Sequence, residues 1–138
     1  MKDVYRFVKI ICDDLRIKKP KITIEKIQGT TLAKYIPKNN TVAIKKDYDN
    51  KYDLCFSIAH ELRHKWQIDY KVYNFNDYKN SKESLSIKEY NLQGVEIDAN
   101  AYAYLIMIGV FGVEPLFNGL DDDVKYQIKK RAKEIANK

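Results

Sequence analysis

A chain of 138 residues is long enough for one buried core and short for two, so a single domain over residues 1–138 is expected. Its 45% hydrophobic and 32% charged residues, with five glycines and three prolines, fit a globular protein and argue against long disordered stretches. The net charge of +6 comes from lysines scattered among aspartates and glutamates, which favours a solvated surface over a nucleic-acid-binding patch.

The N-terminal "MKDVYRFVKIICDD" has an acidic residue at position 3 and no cleavable apolar core, and no later stretch is expected to reach the length of a membrane span. A cytoplasmic location is the resulting expectation, with no membrane partner. From Val4, the apolar residues Phe7, Val8, Ile11 and Leu15 recur at helical spacing as far as the "KKP" at 18–20, where Pro20 disfavours continuation. Cys12 and Cys55 lie in apolar contexts without CxxC spacing and are expected as buried free thiols. "KITIEKI" at 21–27, "TTLAKYIP" at 30–37 and "TVAIKK" at 41–46 read as three short strands, with a turn at "KNN", and are expected as a mostly antiparallel meander.

Beyond Asn50, "KYDLCFSIAHELRHKWQ" lacks Gly and Pro and carries Leu54, Ile58, Leu62 and Trp66 as a core stripe, so it reads as a helix. Residues 69–92 are polar and rich in asparagine and tyrosine, and read as a long loop with some local helix, a feature that is usually functional in so small a domain. "GVEIDANAYAYLIMIGVFG" reads as a buried helix with small residues at Ala99 and Ala103. The closing "DDDVKYQIKKRAKEIANK" opens with aspartates and ends with lysines, as a helix dipole favours, and offers Val124, Ile128 and Ile135 as its inner face.

The chain's two histidines, His60 and His64, stand four residues apart on the helical segment. That spacing puts both imidazoles on one face about one turn apart, where they can turn towards the same cation. Two imidazole nitrogens suit zinc and leave room for a third ligand and a water. Glu61 lies about 100° round the helix, near enough to act on that water without being a ligand, which is the HExxH arrangement. The third ligand is expected to be Glu96: on a helix, Glu96, Ala99, Asn100 and Ala103 share one stripe, small side chains allow close approach, and Asn100 supports a bound imidazole from behind. Asp98 is the competing carboxylate, but it points roughly 200° away from Glu96.

"AHELRH" followed by "EIDANAYA" resembles the gluzincin metallopeptidases, in which the third-ligand glutamate is followed by a small residue at +3, a polar one at +4 and a small one at +7. Within that group the short chain, the helix and strands before the motif and "ANAYAYLIM" resemble the ImmA/IrrE-like family of phages and other mobile elements. The resemblance covers residues 20–110 or so, and the chain reads "LIMIGV" where members of that family often carry "LMP".

It implies an α+β, minimal zincin-like domain: N-terminal helix, small three-stranded mostly antiparallel sheet, HExxH helix, third-ligand helix and C-terminal helix. The implied function is a zinc-dependent metallopeptidase, a hydrolase acting on a protein or peptide substrate, with His60, His64 and Glu96 holding Zn2+ and Glu61 as general base. Both histidines are then committed to metal, so a tyrosine is the natural oxyanion donor, and Tyr70, Tyr73, Tyr78 and Tyr90 are the candidates. Arg63 points away from Glu61 by about 160° and suits the role less. By the same resemblance, "TVAIKK" could offer a sheet edge to substrate, the alternative being a plain surface strand. The alternative is a zincin-shaped regulatory or interaction module, of toxin, antitoxin or anti-repressor type, with little or no protease activity. A third reading, nucleic-acid binding, rests on the charge alone.

Overall fold

The computed structural model describes residues 2–75, 78–79 and 86–138. Its class is α+β, with five helices and one small mixed sheet among the described residues. The chain forms two compact units, Met1–Tyr70 and Lys71–Lys138.

The first unit begins with α1 (Lys2–Leu15), which buries Val4, Phe7, Val8, Ile11, Cys12 and Leu15. The i, i+3, i+4, i+7 spacing makes one apolar stripe, and burying each large side chain is worth roughly 1.5–3 kcal/mol. Arg16, in the left-handed region at φ 55°, ends the helix, and the Ile17 amide returns to the Cys12 carbonyl. Cys12 and Cys55 are buried and free, and burial raises both thiol pKa values.

The sheet corrects the sequence reading. It contains β1 (Lys21–Glu25), β2 (Ala33–Ile36) and β3 (Thr41–Lys45) in the order β1-β3-β2. β1 pairs with β3 in parallel, Thr23 opposite Ala43, while β2 pairs with β3 antiparallel, Tyr35 opposite Val42. The chain therefore crosses from β1 to the far edge and returns into the middle, so it is no meander, and "TVAIKK" is the central strand, not an edge. The physical reason lies in its apolar run: Val42, Ala43 and Ile44 are all fully buried, which only a strand covered on both faces allows. Pro37–Asn39 forms a 3-10 turn between β2 and β3, closed by Asn40 at φ 49° with its amide on the Pro37 carbonyl.

α2 (Lys51–Asp69) starts at Asn50, whose side-chain oxygen accepts the Tyr52 and Asp53 amides at 2.8 and 3.2 Å. It packs Leu54, Ile58 and Leu62, all fully buried, towards α1, β2 and β3. Trp66, the fourth residue of the expected stripe, is only half-buried and carries the Arg63 guanidinium 3.6 Å from its ring centre.

In the second unit, part of the expected loop (76, 77 and 80–85) lies outside the described residues. α3 (Ile87–Leu92) is the local helix, opened by a capping box in which Ser86 Oγ accepts the Glu89 amide and Glu89 reaches back to the Ser86 amide. α4 (Gly94–Ile106) runs into a π-helical turn, Met107–Phe111, ended by Gly112 at φ 65°. α5 (Asp122–Ala136) closes the core of this unit, where Val124, Ile128 and Ala132 meet Ile97 and Ala101, with Ile135 at the margin.

Contrary to expectation, Gly94–Phe111 is long and apolar enough to count as a candidate span, at a mean hydropathy of 1.2. Half of it is buried inside the protein and it carries Glu96, Asp98 and Asn100, so it serves as a core helix.

Candidate functional site

The two histidines project from one face of α2 with their Nε2 atoms 3.1 Å apart and their rings edge to face. His64 is oriented from behind, its Nδ1 lying 2.8 Å from Oε1 of the fully buried Gln67. An amide oxygen only accepts, so Nδ1 carries the proton and Nε2 presents its lone pair. A second nitrogen 3.1 Å from that lone pair must bring a proton or share a cation with it. This is the tautomer and convergence that a metal pair needs.

Glu61 stands beside them, Oε2 3.7 Å from His60 Nε2. Its other oxygen accepts the Tyr35 amide of β2 at 2.7 Å. Tyr35 can offer that amide because β2 is an outer strand and alternate N–H groups point away from β3. The sheet edge thus steadies the carboxylate through a contact 26 residues away in the chain, which no local pattern signals. Gln67 had a signal, three residues after His64 on the same face, although sequence reasoning did not single it out.

In the second unit, α4 carries the expected stripe on one helix. Glu96 is 2% exposed, Ala99 and Ala103 are fully buried, and Asn100 is buried with them. Tyr78 donates to Glu96 Oε2 at 3.0 Å, and its oxygen lies 3.2 Å from that of Tyr90. Burial first, then the Tyr90 hydrogen bond and the Glu96 charge, raises the Tyr78 pKa far above the ordinary 10.0, so the phenol keeps its proton.

Asp98, the competing carboxylate, is fully buried and faces α5, where Arg131 Nε donates to it at 2.9 Å. Burial opposes the Arg131 charge, but the hydrogen bond and charge of Asp98 outweigh it and raise the arginine's pKa.

Of the other tyrosines, Tyr70 is half exposed and donates to the Arg16 carbonyl at 2.6 Å, which fixes the end of α1. Tyr73 sets its ring against Gly94 and lines a cavity of about 240 Å³ with Tyr78 and Gln93. Comparison with protein-family models, curated proteins and solved structures gave no match to this chain.

Proposed function

We propose that the protein is a zinc-dependent metallopeptidase of gluzincin type, resembling the ImmA/IrrE-like proteins, that hydrolyses peptide bonds in a protein substrate. The observation that carries this reading is the convergence of the His60 and His64 Nε2 atoms, with Gln67 holding the His64 tautomer and Glu61 beside them. With Glu96 as the proposed third ligand the donor set is two imidazoles and one carboxylate, which suits zinc. When bound, zinc would polarise the scissile carbonyl and lower the pKa of a water.

The remaining steps belong to this chain's own residues. Glu61 takes the proton of the attacking water through Oε2 and passes it to the leaving amine, while Oε1 stays on the Tyr35 amide. The His64–Gln67 bond keeps the imidazole turned towards the reacting centre.

One observation favours the alternative, a regulatory module without protease activity: the Glu61–Tyr35 bond ties α2 to β2 and by itself gives Glu61 a structural task. Glu61→Gln separates the two, because a glutamine oxygen still accepts the amide but the side chain cannot take a proton. The expected outcome is one zinc per chain by elemental analysis, an unchanged melting temperature and loss of cleavage of an unfolded protein substrate by at least about 100-fold. Cleavage at the wild-type rate would refute Glu61 as the general base, and a zinc-loaded wild type that cleaves no substrate would refute the peptidase reading. His60→Ala should instead lose the zinc itself.

A further inference from the structure

Glu96 is a buried carboxylate, and an ionised carboxylate away from water needs donors or a cation. One donor arrives from the tyrosine-rich segment that the sequence marks as an unusual loop: the Tyr78 hydroxyl, 3.0 Å from Oε2. A phenol has one proton, and once it is spent on Glu96 the oxygen is left to accept. Tyr90 stands 3.2 Å behind it, so the chain of donors runs Tyr90 to Tyr78 to Glu96.

The rings are held as well as the hydroxyls. Phe75 meets Tyr78 edge-on with centres 5.7 Å apart, and the Tyr90 ring lies 6.4 Å from that of Tyr78. Tyr90 belongs to α3, whose capping box fixes its first turn. A six-residue helix of otherwise exposed or half-buried residues thereby gains a task, which is to stand behind the phenol.

We propose that Tyr78, backed by Tyr90, is a positioning residue of the metal centre that occupies Glu96 Oε2, so that only Oε1 is presented to the cation. This rests on the reading of Glu96 as a metal ligand. A carboxylate with one oxygen engaged binds through the other, which keeps the ligand set at three and leaves the fourth position for chemistry. Tyr78 is then committed to Glu96 and does not serve as the oxyanion donor.

The test is a metal titration against a chromophoric chelator, with Zn2+ for affinity and Co2+ for the visible ligand-field spectrum. It compares wild type, Tyr78→Phe, Tyr90→Phe, Glu96→Ala and the double variant Tyr78→Phe with Glu96→Ala. Tyr78→Phe removes one oxygen and keeps the ring, and Tyr90→Phe breaks the relay one step earlier should the first variant melt low. Tyr78→Phe is expected to weaken zinc about 10-fold and to shift the cobalt bands. In the Glu96→Ala background it should add nothing, since a residue that acts through the Glu96 carboxylate has no acceptor there. Equal affinity and spectrum in wild type and Tyr78→Phe overturn the proposal and leave the metal reading intact. An equal loss from Tyr78→Phe in both backgrounds also overturns it, because that marks a general packing role. A wild type that binds no metal, or a Glu96→Ala variant that binds it as well as wild type, overturns the metal reading and the proposal together.

Discussion

A histidine proposed as a metal ligand depends on what stands behind it. In α2 that residue is Gln67, whose buried amide oxygen fixes the proton on His64 Nδ1 and turns the lone pair of Nε2 towards His60. Replacing Gln67 with Met keeps length and volume but removes the acceptor, so the ring can flip and change tautomer. Zinc affinity is expected to fall about 10-fold, as for other supports of liganding imidazoles, and to be read by chelator competition. An affinity within a factor of about two of wild type would show that His64 needs no such orientation. Tyr70 illustrates the reverse case, a candidate for chemistry whose hydroxyl is spent on the Arg16 carbonyl just past α1.

At the scale of elements, α4 carries carboxylates to two different destinations. Glu96 and Asp98, two residues apart, point to opposite sides of a buried helix, and each meets a different kind of partner: a phenol for Glu96 and a guanidinium for Asp98. The Asp98–Arg131 pair fastens α5 to α4 where Ile97, Ala101, Val124 and Ile128 close the core. Arg131→Met would leave the Asp98 charge buried without that donor, and unfolding stability in urea should drop by about 3 kcal/mol. A change under about 0.5 kcal/mol would mean that packing alone holds the two helices together. The carboxylate facing the proposed site and the one facing the core are thus separated by roughly 200° of helix, as spacing alone requires.

At the scale of the whole molecule, the peptidase reading assigns His60 and His64 of Met1–Tyr70 and Glu96 of Lys71–Lys138 to one ion. Metal binding should therefore stabilise both units, not the histidine-bearing one alone. At a free zinc concentration about a hundred times Kd the gain is about 2.7 kcal/mol, or roughly 10 °C in Tm for a chain of this length. Amide exchange should slow in α2 and α4 alike, and chelation should reverse both effects. Protection confined to α2 would show that Glu96 does not take part.

Periodicity and end chemistry are the properties that the sequence determined by itself. The apolar stripe of α1, the pairing of His60 with His64 on one helix face, the buried stripe through Glu96 and Ala103, and the charge-biased α5 are all written within single segments, because a helix maps spacing directly onto direction. The tertiary structure decided whatever depends on partners far along the chain. Strand order is one case: "TVAIKK" reads as a strand whether central or outer, and only the cover on both faces placed it in the middle, parallel to β1. The supports of the site are another, since the Tyr35 amide on Glu61 and Tyr78 on Glu96 join residues 26 and 18 positions apart, across which no periodic signal persists. Residue type and spacing thus named the candidate groups, and the hydrogen bonds of the fold decided which atoms of Glu61, His64 and Glu96 are engaged.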